Sequence, residues 1–151
     1  MKRIIGTLII LSFCNMSKAQ PADPVKWTFS TKKIDAKTYE VHMSANIQVN
    51  WHLYSQTQPA DAIINPTTIV FNPNPLVSLD GKAKEIGKME VYTDKRLKIS
   101  AHQYSDQLEF VQKIKMKTAA KTNISGSVEY QTCDDKKCLP SKKVTFNLAL
   151  K

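Results

Sequence analysis

Between Tyr39 and Trp51 every odd position is apolar or aromatic: Tyr39, Val41, Met43, Ala45, Ile47, Val49 and Trp51. Every even position is polar: Glu40, His42, Ser44, Asn46, Gln48 and Asn50. Side chains of a β-strand alternate between two faces, whereas those of a helix recur every 3.6 residues, so only a strand sorts these residues cleanly. The pattern predicts one long strand, or two joined at a bulge, with one face buried and one wet. A second apolar layer must then cover the buried face.

The rest of the chain offers strands for that layer and no convincing helix. Val25, Trp27 and Phe29 alternate with Lys26, Thr28 and Ser30 after a loose leader from Gln20 to Pro24. Pro59, Pro66, Pro73 and Pro75 leave room only for a short strand such as Thr67 to Phe71. Leu79 to Glu90 has a poor pattern, with Gly81 and Gly87 among lysines, and is expected to be loop. Short strands are expected at Glu90 to Tyr92 and at Leu97 to Ala101. Further strands follow at Leu108, Phe110, Ile114 and Met116 (interrupted by Gln112), at Ile124, Val128 and Tyr130, and at Val144, Phe146, Leu148 and Leu150. Seven to nine short strands separated by polar turns predict an all-β fold, an antiparallel immunoglobulin-like β-sandwich. With 151 residues there is room for one domain, which buries roughly two-thirds of its unfolded surface without a covalent staple.

The N-terminus has a different composition. Lys2 and Arg3 precede a mostly apolar run from Ile4 to Phe13, and Ser17-Lys18-Ala19 supplies small residues for cleavage before Gln20. These are the three parts of a secretory signal peptide. The run is half the roughly 20 residues that a membrane span needs. Phe13 is bulky where a lipidated Cys14 would want a small neighbour. Residues 1–19 are therefore expected to be a signal peptide and residues 20–151 the exported, periplasmic domain. Cleavage removes Lys2, Arg3 and Lys18, taking the 22 basic residues to 19 against 13 acidic, a net +6. The lysines are scattered along strand-like segments rather than clustered, so a solvated surface is expected and no nucleic acid.

Two cysteines remain in the mature chain, in Cys133-Asp134-Asp135-Lys136-Lys137-Cys138-Leu139-Pro140. A bond between them closes one tight turn and is worth only about 2 kcal/mol in the loop-entropy model. Cys133 has the parity of Ser125, Ser127, Glu129 and Gln131, opposite to that of Ile124, Val128 and Tyr130. A strand that persists that far puts Cys133 on its solvated face or at its end, where thiol exchange has access. Pro140 shapes the backbone just after the second sulfur. From spacing alone, a cystine that merely pins a turn stands beside a redox-active pair. His42, His52 and His102 have no close ligand spacing and read as ordinary strand or surface residues. Two thiolates make an incomplete zinc site, so neither metal nor cofactor is expected. There is no G-x-S-x-G, no paired carboxylate motif and no phosphate-binding glycine loop.

Three stretches, in order, carry a family resemblance. Trp51-His52-Leu53-Tyr54 resembles a "Y-Y-L-Y" type segment. Gly87-Lys88-Met89-Glu90-Val91-Tyr92 resembles "G-K-x-E-[IV]-Y". Tyr130-Gln131-Thr132-Cys133 through Cys138-Leu139-Pro140 resembles "Y-Q-x-C … C-[YL]-P-P". Together they resemble the N-terminal periplasmic domain of the thiol:disulfide interchange protein DsbD, over about Trp27 to Leu150. The resemblance implies an immunoglobulin-like electron shuttle without a small-molecule cofactor. A membrane electron transporter of DsbD type and thioredoxin-fold proteins are the implied partners, and a monomer is expected. It assigns Cys138 to the mixed disulfide with a partner and Cys133 to the resolving thiol. Trp51, Tyr54, Glu85, Ile86, Tyr92 and Pro140 are implied to line the site.

The pair here encloses four residues where the family usually has five, and Ser141 replaces a second proline. Glu85 and Ile86 stand where enteric members carry an aromatic cap, so the cap is either Ile86 or absent. No membrane-spanning run and no thioredoxin-like C-x-x-C follow Cys138. The expectation is a free-standing exported adaptor; the alternative is an immunoglobulin-like binding module with a structural disulfide.

Overall fold

The computed structural model describes residues 23–151; the expected signal peptide, 1–19, lies outside the described residues. Nine strands follow in order: β1 (Val25–Lys33), β2 (Thr38–Ile47), β3 (His52–Tyr54), β4 (Thr68–Phe71), β5 (Val77–Asp94), β6 (Ile99–Met116), β7 (Thr122–Tyr130), β8 (Thr132–Cys133) and β9 (Lys142–Leu150). All pairings between them are antiparallel. A six-stranded sheet faces a three-stranded one of order β4-β7-β9, which is the expected immunoglobulin-like sandwich.

The large sheet is organised on β6. β2 pairs with it from Thr38↔Lys115 to Asn46↔Gln107, and β3 continues along the same edge with Leu53↔Tyr104 and Tyr54↔Gln103. β5 covers the other edge. The long alternation is therefore two strands in line, split by an excursion at Gln48–Trp51. Asn50 takes a left-handed φ of 69° there, and Val49 is 78% exposed despite its parity. β1 flanks β2, and β8 flanks β3.

Inward residues of both sheets form one core. Val41, Met43, Leu53, Phe110, Ile114 and Val128 are among its fully buried members, with Trp27, Phe29 and Phe71 packed against it. Each such aliphatic or aromatic side chain contributes roughly 1.5–3 kcal/mol by leaving water. Gly126 of β7 lies where a Cβ would stand 2.3 Å from the Val70 carbonyl and 2.7 Å from Cζ of Phe146, so only glycine fits. Gln112, the polar interruption in the β6 pattern, does face inward and is 2% exposed. Its amide donates to the carbonyls of Gly81 (3.2 Å) and Lys113 (2.8 Å), beside the break in β5–β6 register between Asp80 and Lys84. Polar burial is compensated by those bonds.

One expectation is overturned. Leu79 to Glu90 is not loop but the centre of the 18-residue strand β5, and the strands expected at Glu90 to Tyr92 and Leu97 to Ala101 are parts of the long hairpin β5–β6. β5 is exposed along most of its length, so its residues obey no burial alternation. Backbone pairing to β6, not a buried face, makes it a strand.

Candidate functional site

The cysteine segment is shaped by a change of sheet. The chain leaves β7 at Tyr130, paired with Lys142 in the small sheet. Two residues later it is in the large sheet, with Thr132 opposite Leu53 and Cys133 opposite His52. Cys133 and Cys138 then face each other across a tight hairpin. Asp134 N donates to Lys137 O (2.9 Å) and Leu139 N to Thr132 O (2.9 Å), so the bonds flank the cysteines rather than join them. In such a non-hydrogen-bonded pair the side chains come closest. The two Cα atoms are 4.0 Å apart and the sulfurs form a disulfide.

Asp134 closes the turn. Its Oδ1 accepts from Lys136 N (2.8 Å) and Lys137 N (2.7 Å), an Asx turn. Those two backbone donors, with the nearby lysine charges, hold its carboxyl below the ordinary carboxylate range.

The two sulfurs have unequal surroundings. Cys133 is 2% exposed and packs with Tyr54 and Ala101, with Ile64 against them. Cys138 is exposed. The expected placement of Cys133 on a wet face is thus corrected. The parity of β7 ends with Tyr130, because the chain crosses to the other sheet before reaching the cysteine. An external thiolate has access to Cys138, and attack there expels the Cys133 sulfur as the leaving group.

The other expected site residues divide. Tyr54 packs on Cys133, and burial, with a smaller effect of Tyr92, pushes its phenol above the ordinary range. Tyr92 stands opposite Ala101 of the same cluster and is about half exposed. Pro140 follows the hairpin and is exposed. Trp51 instead packs against the main core. Ile86 lies opposite Glu109, 55% exposed, and is not a member of the cluster that holds Cys133. Glu85 has a bracing position: its carboxylate accepts from Ser55 Oγ (2.8 Å), Gln56 N (2.6 Å) and Tyr104 Oη (2.7 Å). Burial and that carboxylate push the Tyr104 phenol upward. Glu85 thereby ties β5 to the segment leaving β3.

Three neighbours of the disulfide were not singled out from sequence. Ile64 comes from the stretch after β3, which is fastened to β6 by Ser55 N to His102 O (3.0 Å) and by the Gln58 side chain. The Gln58 side chain bonds both His102 O (2.8 Å) and His102 N (2.9 Å). Ala101 depends on the β6 register. His52 is directly across from Cys133, and its place two residues before Tyr54 in the aromatic segment was the available signal.

A family model described as the N-terminal part of the thiol:disulfide interchange protein DsbD matches residues 17–150. The chain belongs to that family. Among solved structures it is similar to the N-terminal periplasmic domain of ScsB from Proteus mirabilis, at 13% identity and a TM-score of 0.58. That match covers 84% of this chain and 47% of the other, so this chain spans about half the length of that relative. It is also similar to the reduced DsbD N-terminal domain of Neisseria meningitidis (14% identity, TM-score 0.50, covering 80% of this chain and 82% of that one). A third likeness is to the structure of the complex between the DsbD and PilB N-terminal domains of that organism. It has 13% identity and a TM-score of 0.52, and covers 87% of each chain. At these identities the structures speak to the fold. No curated protein sequence matches the chain.

Proposed function

We propose that this is an exported thiol:disulfide exchange domain that carries electron pairs between thioredoxin-fold proteins through Cys133 and Cys138. The observation that carries the reading is the asymmetry of the disulfide, with one sulfur exposed and its partner buried. In the loading half-cycle a donor thiolate attacks Cys138 Sγ, forming a mixed disulfide and releasing Cys133 as a thiolate. The donor's second thiol then attacks its own sulfur, leaving Cys138 reduced and the donor oxidised. In the delivery half-cycle the Cys138 thiolate attacks an acceptor disulfide. Cys133 next attacks Cys138 Sγ, reforming the intramolecular bond and releasing the acceptor with two electrons and two protons gained. Family membership supports this reading. The complex of a DsbD N-terminal domain with the PilB N-terminal domain supports a protein partner.

The periplasm is the proposed compartment, reached through cleavage after Ala19, and a membrane transporter of DsbD type is the proposed electron source. The deciding measurement is the reduction potential of the pair in defined thiol buffers. A value between about −270 and −120 mV is expected, whereas a structural cystine lies below about −300 mV. In parallel, Cys133→Ser is expected to accumulate mixed disulfides through Cys138 in a periplasmic extract, and Cys138→Ser to accumulate none. A variant Cys133→Ser that traps nothing would count decisively against the reading.

A further inference from the structure

The buried half of the disulfide has a chemical problem that the exchange cycle does not solve by itself. Cys133 must attack as a thiolate, yet it sits 2% exposed among Tyr54, Ala101 and Ile64, and burial disfavours the charged sulfur. Bulk water has little access to take its proton. A basic group must stand beside it.

His52 is the residue that does. It is the cross-strand partner of Cys133. Directly opposed residues of an antiparallel pair hold their Cβ atoms about 4.5–5.5 Å apart on one face of the sheet. Its Nε2 lies 3.2 Å from Tyr54 Oη, and the two rings meet edge to face with centroids 5.3 Å apart, which fixes the imidazole plane. Tyr54 in turn packs on Cys133, so the phenol bridges the imidazole and the buried sulfur.

We propose that His52 is the acid–base group for Cys133, a role that rests on the exchange function above. As Cys133 attacks Cys138 Sγ in a mixed disulfide, the neutral imidazole takes the proton from Cys133 Sγ–H. The new S–S bond forms, the partner's sulfur leaves with the electron pair, and His52 is left as imidazolium. In the opposite direction, when a donor thiolate attacks Cys138 and Cys133 departs as a thiolate, His52, neutral at rest and half-buried, takes a proton from solvent and passes it to the Cys133 sulfur. The charged groups acting on the ring are Asp134 and Asp135 of the turn and Glu90 of β5, while Lys136 and Lys137 complete the turn. The three carboxylates favour the imidazolium, but burial outweighs them and lowers the histidine below its ordinary value of 6.5, leaving it a neutral base near pH 7. The acidic neighbours nonetheless stabilise the imidazolium when it forms.

The test uses the reduced mature chain, from Gln20, mixed with an excess of 5,5′-dithiobis(2-nitrobenzoate) in stopped flow. Attack by Cys138 releases one thionitrobenzoate, and resolution by Cys133 releases a second, so the two sulfurs report as separate phases. With His52→Phe and His52→Gln, the first phase is expected to keep its rate. The second is expected to slow about tenfold or more at pH 7. Below the ordinary thiol range of about 8.5 the variants' second phase should lose a factor of ten per pH unit. The parent should hold its rate until the histidine protonates. Recovery in His52→Gln overturns the proposal, because glutamine keeps a hydrogen bond to Tyr54 but is no base. Equal slowing of both phases also overturns it, as does a second phase indifferent to both substitutions. Absence of a second phase in the parent protein strikes instead at the exchange function itself.

Discussion

Among the described residues, eighteen buried ones drawn from both sheets form the main core, whereas Cys133 clusters with Tyr54 and Ala101, backed by Ile64. The first group holds the two layers together. The second lies where the hairpin joins the large sheet, on a strand of two residues. The difference teaches that the fold is secured away from the disulfide, which is a local clasp at the edge of the large sheet; under the proposed function, that is what lets it open and close.

That separation is open to attack from the core outward. Phe110 is fully buried at the centre of the large sheet, so Phe110→Ala should cost about 3–5 kcal/mol in denaturant unfolding. In whatever fraction stays folded, the reduction potential should be unchanged; a shift in potential would show that the two regions are coupled. Gly126→Ala, which puts a methyl into the Val70 carbonyl and the Phe146 ring, should cost about 1–3 kcal/mol and equally spare the potential. Reduction of the disulfide should lower stability by only about 2 kcal/mol, leaving a cooperative unfolding transition in calorimetry. Unfolding on reduction would make the bond a structural one.

Smaller effects sharpen the contrast at the site itself. Ile64→Ala should cost roughly 1 kcal/mol of stability, yet speed alkylation of Cys133 in the reduced protein, since Ile64 packs against its cluster. The smallest effect is the pH response of the turn. Asp134 has a lowered carboxyl pKa, so the stability it lends is present above its ordinary value of 3.8 and lost as pH falls through the lower folded value. Amide exchange of Lys136 and Lys137, corrected for its intrinsic rate, should therefore accelerate at the acid end of a titration. Protection that survives to about pH 2 would rule out the Asp134 cap.

β2 and β5 show why part of this molecule was legible in its sequence. β2 has one face against the core and one in water, and burial wrote that division into alternate residues. β5 pairs along one edge but buries almost nothing beyond Val77, so neither face constrains its residues and the strand reads as loop. The candidate site divides in the same way. The cysteine pair and Tyr54 were recognisable from local motifs. Ile64, Ala101 and the facing of His52 on Cys133 depend on strand register and on the chain crossing between sheets after Tyr130, which periodicity within one strand does not record.

The composition that hides β5 also bears on how copies of the protein behave together. An 18-residue strand whose outer edge pairs with no other strand among the described residues is a template on which another chain's backbone can add. Lys82, Lys84 and Lys88 stand exposed along it. Crowded molecules that approach edge to edge bring like charges together before any ladder of hydrogen bonds can form, so the lysines act as a guard against polymerisation.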